Sequence, residues 1–314
     1  MLFRPFHFLI LMFMLSMTTS CLLTNESPLE SSSNDVNLIQ IGDLVVVNNG
    51  NDTIVLLDSD GTYKSVLFDS QTDATLLFGG LAYDATNKKI LFTYDSTTAA
   101  LDSVRSINLF DGTSTSLISN SNLNGTLPGL ARLTGGELLV LEGTNTAEKF
   151  LANGTRSGNP FLATLTANVV DINKTSTGGF VACSTATATT VRTYDAAAAV
   201  QATATSAAPV GVPALGALGA SSCVQDASGN IIVAFTGATD AVRAFDPTMT
   251  TVLWTYLNTA NLTTPGKLSI RANGNILVVD SGFNHIVEMD SNGVFVRVIG
   301  GAVLSAPGSI LVVP

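Results

Sequence analysis

Residues 268–300, LSIRANGNILVVDSGFNHIVEMDSNGVFVRVIG, decide the fold. Four apolar runs lie within them: Leu268–Ile270, Ile276–Val279, Ile286–Met289 and Val294–Ile299. The breaks are Asn273-Gly274-Asn275, Asp280-Ser281-Gly282-Phe283-Asn284 and Asp290-Ser291-Asn292-Gly293. Tight hairpin turns need positive φ, which Asn and Gly adopt at small steric cost. The stretch therefore predicts a four-stranded antiparallel meander.

Working outward, its second run recurs. Leu44–Val47, Ile90–Thr93, Leu138–Leu141, Phe180–Cys183, Ile231–Ala234 and Ile276–Val279 begin roughly 45 residues apart, the period of propeller blades. Most units also carry a later Asp- or Asn-marked turn, as at Asp58-Ser59-Asp60-Gly61, Asp111-Gly112, Asn153-Gly154, Asp246-Pro247 and Asp290–Gly293. None of these turns has the spaced ligand set of a calcium loop, so they read as turn formers. The central runs are apolar at consecutive positions, as expected of strands buried on both faces. A blade sandwiched between two others provides that environment, whereas a flat sandwich favours alternation. The expectation is an all-β, six-bladed β-propeller of four-stranded antiparallel blades over residues 41–314.

Closure is also predicted. Pro128-Gly129 and Pro265-Gly266 precede the first strands of the third and sixth units, and Pro307-Gly308 precedes Ile310–Val313 at the C-terminus. The first unit opens directly on its central run, so Ile310–Val313 should become its innermost strand and cover an exposed edge. Val36–Ile41 competes for that place.

The sixth unit, with Gly274-Asn275-Ile276-Leu277-Val278-Val279-Asp280, Asn284-His285-Ile286, Asp290 and Gly293, resembles an NHL repeat. That resemblance implies a six-bladed propeller. It is fair in units one and five, loose in units two to four, and weakest in the Thr-Ala-rich segment Ser184–Ser206. Ala244-Phe245-Asp246-Pro247 with Val252–Tyr256 resembles a quinoprotein-type repeat, but it occurs once and holds the only Trp, so no quinone cofactor is expected.

The chain has 314 residues, 12% of them charged, and a formal charge of −10. That balance argues against nucleic acid and against adsorption to an anionic membrane surface. Residues 1–20 read as an export signal: Arg4, the short apolar run Phe8–Met17, then Thr18-Thr19-Ser20 before Cys21. Cleavage there resembles bacterial lipoprotein processing, which implies acylation of Cys21. Thr18 departs from the leucine that motif prefers, and plain secretion is the alternative. Residues 21–40 read as an anchor and tether, since Leu22–Asn37 is rich in Ser, Asn and Glu. The expected location is the outer membrane, periplasm or cell surface. With Cys21 lipidated, Cys183 and Cys223 remain as a candidate disulfide, or as two buried thiols.

With His7 inside the signal, His285 is the remaining histidine. A histidine-cluster zinc site is therefore not expected, and a triad would have to use His285. No catalytic residue and no cofactor are assigned. Carboxylate and amide oxygens leave calcium as the alternative. Resemblance to six-bladed lactonases would place it in the channel on Glu142, Asp280, Asn48, Asn168 or Asp171.

If the strand order is that of a propeller, the turns after the six central runs emerge on one face. That face should collect Asn48, Tyr94, Glu142, Ser184, Phe235 and Asp280, with the long loops Leu117–Leu127, Ala204–Gly216 and Asn258–Pro265. The expected function is a non-catalytic binding or scaffolding module that takes a protein or polar glycan there. A calcium-dependent lactonase or esterase and an envelope assembly factor are the alternatives.

Overall fold

The computed structural model describes residues 39–314 apart from 71–78, 97–101, 120, 122, 124, 144–145, 158–160, 162–167, 186–190, 205–218 and 238. The signal (1–20), Cys21 and most of the tether (21–38) lie outside the described residues, as does nearly all of loop 204–216.

Six antiparallel sheets follow one another along the chain. Blade one holds β1 (Leu44–Asn48), β2 (Thr53–Leu57) and β3 (Tyr63–Asp69). Blade two holds β4 (Leu81–Asp84), β5 (Lys89–Tyr94), β6 (Ser103–Asn108) and β7 (Ser114–Ile118). Blade three shows β8 (Leu130–Arg132), β9 (Leu138–Glu142) and β10 (Thr146–Phe150) among the described residues. Blade four is β11 (Val169–Lys174), β12 (Phe180–Ser184), β13 (Val191–Tyr194) and β14 (Val200–Ala204). Blade five is β15 (Gly219–Gln225), β16 (Ile231–Thr236), β17 (Ala241–Phe245) and β18 (Val252–Tyr256). Blade six is β19 (Pro265–Ile270), β20 (Ile276–Asp280), β21 (His285–Met289) and β22 (Phe295–Ile299). The last strand, β23 (Pro307–Val312), pairs with β1, giving blade one the order β23-β1-β2-β3. The architecture is the expected six-bladed propeller, closed by its C-terminal strand.

The register of closure is Leu44↔Val312, Val45↔Leu311 and Val46↔Ile310, with a bulge between Val47 and Asn48. Residues 39–43 form no strand. Val313 instead exchanges main-chain hydrogen bonds with the segment before β1, Gly42 N–H to Val313 O at 2.8 Å and Val313 N–H to Asp43 O at 2.9 Å.

The consecutive apolar residues of each second strand now have a cause. Side chains alternate faces along a strand, so in β1 Val45 and Val47 pack into a cluster with blade two, while Leu44 and Val46 pack with blade six. In β9, Leu138 and Val140 face blade two, and Leu139 and Leu141 face blade four. In β20, Ile276 and Val278 face blade five, and Leu277 and Val279 face blade one. Each such side chain contributes about 1.5–3 kcal/mol on burial. A polar residue at any of these sites would face a hydrophobic interface.

Polar groups reinforce the seam between blades six and one. Glu288 is buried in β21, with Arg297 Nε at 2.8 Å and Asn275 Nδ2 at 2.7 Å, and Arg271 Nε 3.2 Å away as an ion pair. Both arginines continue onto the blade-one turn: Arg271 Nη2 donates to Ser59 O at 2.8 Å and Arg297 Nη1 to Asp60 O at 3.0 Å. Burial pushes the Glu288 carboxyl up. The hydrogen bonds from Asn275 and Arg297 and the charges of Arg271 and Arg297 together outweigh burial, holding it below its ordinary 4.5.

Glu288→Ala removes a buried partner of Arg271 and should cost about 3 kcal/mol in urea unfolding. A carboxylate whose native pKa is depressed stabilises fully above its ordinary value, and that contribution fades as pH falls through the native one. Wild-type protein should therefore lose stability more steeply than Glu288→Gln between about pH 5 and pH 3. Parallel curves would contradict the assignment.

Candidate functional site at the channel mouth

The second strands of all six blades run toward one face, where Asn48, Tyr94, Glu142, Ser184 and Asp280 end β1, β5, β9, β12 and β20, and Phe235 precedes the last residue of β16. All six side chains are buried. They do not themselves form a solvent-facing patch.

Their surroundings explain the burial. The loops entering the first strands converge on the same face, and their N–H groups lie beyond the reach of any sheet ladder. Buried donors need acceptors, and strand-end side chains supply them. Asp280 Oδ2 accepts Thr263 N–H at 2.5 Å and Thr264 N–H at 3.2 Å. Its Oδ1 accepts Thr263 Oγ1–H at 3.1 Å, Gly282 N–H at 2.9 Å and Phe283 N–H at 3.0 Å. Asn48 Oδ1 accepts Ser305 N–H. In blade two the task falls to Thr93, whose Oγ1 accepts Gly79 N–H at 3.0 Å and Gly80 N–H at 2.8 Å and donates to Leu127 O at 2.9 Å. Asp95 then holds Leu127 N–H at 3.0 Å. Burial pushes the Asp95 carboxyl up more than the Leu127 N–H pulls it down, and the nearby Asp102 charge adds to the rise.

The other positions are held by packing or charge. Tyr94 meets Phe68 edge-on at 6.2 Å and lies under the Arg105 guanidinium at 5.3 Å. Phe235 packs against Phe245 between blades four and five. Glu142 has Arg156 Nη2 at 3.7 Å. The Pro-Gly entries are equally constrained. A Cβ on Gly308 would lie 2.2 Å from Asn49 Nδ2, and one on Gly266 2.8 Å from Val279 Cγ2, so a larger residue at either place would have to displace a neighbouring side chain.

Between the entry loops opens a cavity of about 350 Å³, lined in part by Asn49, Asp95, Thr126, Thr185, Ser221 and Lys267. It shares Lys267 with a small space of about 20 Å³ beside Asp171, Asn173 and Ser309, which in turn shares Asn173 with a space of about 170 Å³ between Lys174, Gln225 and Leu311. The small space is bounded by a polar knot. Lys267 Nζ donates to Pro128 O at 2.9 Å, Asp171 Oδ1 at 2.7 Å and Val170 O. Asp171 Oδ2 accepts Ser222 Oγ–H at 2.6 Å and Asn173 Nδ2–H at 2.9 Å, and Ser222 Oγ accepts Leu268 N–H at 3.0 Å. Bulges in β11, β15 and β19 at Val169/Asp171, Ala220/Ser222 and Pro265/Leu268 accompany this knot.

Lys267 was not expected from the sequence. Its signal is a charge directly after Pro265-Gly266, where the third unit has Leu130 and the closing strand Ser309. Among the described residues, no group of three or more His, Cys, Asp and Glu gathers to hold a metal. Of the oxygens proposed for calcium, Asp171 is engaged by Lys267 and Asp280 and Asn48 by entry loops, Glu142 Oε1 faces Arg156 only at ion-pair distance, 3.7 Å, and the Asn168 main-chain oxygen accepts Thr185 N–H at 3.1 Å.

His285 differs from an exposed turn residue. It is buried in β21, with Nε2 2.9 Å from Asn261 O and its ring stacked on Phe283 at 5.4 Å. A carbonyl partner requires that nitrogen to carry the proton. Cys183 and Cys223 lie in one hydrophobic cluster at the blade four–five interface as buried free thiols. Burial pushes both thiols up, Cys223 well above its ordinary range. The turn aspartates behave as expected: Asp58 Oδ1 accepts the N–H groups of Asp60, Gly61 and Thr62, and Asp290 Oδ1 those of Asn292 and Val294.

No family model matches the chain, and no curated protein matches it significantly. Solved structures do. A protein of unknown function from Bacteroides caccae is similar at a TM-score of 0.59 and 15% identity, covering 86% of this chain and 98% of that one. The WD40 β-propeller domain of Doa1 is similar at a TM-score of 0.55 and 17% identity, covering 82% of this chain and 81% of that one. At such identities the likeness carries the propeller fold alone.

Asp280→Ala would orphan five donors and should cost about 3 kcal/mol. Asp60→Ala on the opposite face should leave the urea midpoint nearly unmoved. Equal midpoints for both variants would contradict the loop-holding role.

Proposed function

We propose that the chain is an exported, lipid-anchored propeller of NHL-like type that binds a partner at the channel mouth. The partner is a protein or a polar glycan, held on the face where the entry loops and strand ends meet. The observation that carries this reading is the junction of a concave cavity with loops fixed from beneath by buried side chains. Loops positioned by a rigid scaffold lose little entropy on binding. The cavity wall is largely apolar, with Leu127, Pro128 and Val170 among its lining, and Thr126, Thr185, Ser221 and Asn49 set hydroxyl and amide groups in it. On the same face Phe283 and Leu257 are exposed, which suits a partner with an apolar contact beside polar ones. The six strand-end residues act here as supports of the loops that make contact.

The reading is tested by cross-linking intact cell envelopes and comparing variants. Phe283→Ala combined with Thr126→Ala and Thr185→Ala should reduce partner capture about tenfold or more with an unchanged melting curve. Asp60→Ala and Asp111→Ala should leave capture intact. A stoichiometric membrane protein among the captured material would make this an assembly factor; capture lost equally from both sets would place binding elsewhere. Cys21→Ser should release the protein to the soluble fraction or block its processing, and unchanged membrane association would remove the anchor from the account.

The proposed location also bears on Cys183 and Cys223. The structure holds them as free thiols, and burial that raises both pKa values keeps them unreactive in the folded ring. Titration of the unfolded, unreduced protein should then find two reactive thiols; finding neither would mean that an oxidising compartment bridges them.

A further inference from the structure

Lys267 has the surroundings of a bound cation. Its nitrogen is enclosed by two main-chain carbonyls and one carboxylate oxygen, from Pro128, Val170 and Asp171. Oxygen donors of this kind, two neutral and one anionic, are those that a hard divalent ion takes. The ammonium has three N–H groups, and these three acceptors use them all. Both charged partners are largely withdrawn from water, with the Lys267 side chain 12% exposed and that of Asp171 6%.

The lysine also bridges blades that are not neighbours. Its stem rises from β19 of blade six, Asp171 belongs to β11 of blade four, and Pro128 enters β8 of blade three. In a ring of six, blades three and six face each other across the axis. The side chain therefore crosses the axis and lines both the mouth cavity and the small space beside Asp171. Ser222, Asn173 and the N–H of Leu268 complete the knot through Asp171.

From this geometry we infer that Lys267 is the resident cation of the channel: its ammonium takes the axial site that a divalent metal would otherwise fill. The ring is thereby stabilised without an ion, and the channel is closed to passage beneath the mouth. Once the ammonium is removed, the two carbonyls and Asp171 become an open site for a small cation. Its preferred occupant is a primary ammonium, whose N–H groups match the three acceptors. Calcium is the second choice, since it must shed water to enter a cage with one charge.

Thermal unfolding of the whole chain tests this with methylammonium, tetramethylammonium, calcium and EDTA as probes. Wild-type Tm should move by less than about 1 °C with either calcium or EDTA. Lys267→Ala should lower Tm by about 5 °C or more, and methylammonium should restore part of the loss in the variant alone. Tetramethylammonium, which has no N–H, should not. Rescue by calcium as well would support the same cage. A wild-type Tm lowered by EDTA or raised by calcium would overturn the inference, as would a variant as stable as wild type or one indifferent to methylammonium. Should Lys267→Ala not fold, amine acylation of the native wild-type protein decides. Lys267 should react more than about tenfold slower than exposed Lys88, and equal rates would overturn it.

Discussion

The N–H groups of the loops that enter each blade lie above the channel, where no strand can pair with them. An unsatisfied buried N–H costs about 1–3 kcal/mol, and a ring of six blades multiplies the problem. This propeller answers it with side chains at the tops of the second strands. Asp280 takes four N–H groups and a hydroxyl, Asn48 takes Ser305, and Thr93 takes Gly79 and Gly80. Each acceptor must stand close to the loop it serves, so the entries are drawn in until Asn49 and Val279 crowd Gly308 and Gly266. The mouth cavity is the space these fixed loops leave between them.

That arrangement depends on the ring staying shut. The closing strand β23 gives blade one its innermost partner, and the Glu288 cluster ties the arginines of blade six to the carbonyls of the blade-one turn. Hydrophobic clusters between adjacent blades carry the bulk of the cohesion, and the two buried thiols simply belong to one of them. Lys267 adds a tie across the axis rather than around it.

The ring itself was legible in the sequence because burial on both faces leaves a strong mark. Leu44–Val47 and Ile276–Val279 have no polar alternation because each face meets a different blade. The Pro-Gly entry at Pro307-Gly308 disclosed closure because it heads the strand that pairs with β1. The site was less legible. Its strand-end residues do share one face of the ring, but residue type alone does not tell a carboxylate offered to a partner from one spent on N–H groups within the chain. Asp280 and Asn48 are of the second kind. Lys267 escaped notice because its acceptors are mostly main-chain carbonyls, which leave no trace in sequence, and because the bulges that accompany the knot do not change the apolar pattern.

The proposed binding at the mouth rests on one physical claim: the entry loops are parts of the folded core, held from below, and not ordinary surface loops. Native-state hydrogen exchange reads this directly at the amides of Gly80, Leu127, Thr263 and Ser305, each donated to a strand-end side chain. If the account is right, these loop amides exchange only through global unfolding, with protection matching that of Val278 in the middle of β20. Exchange within about tenfold of an unstructured peptide would show that the side chains do not hold the loops, and the scaffold described here would not exist.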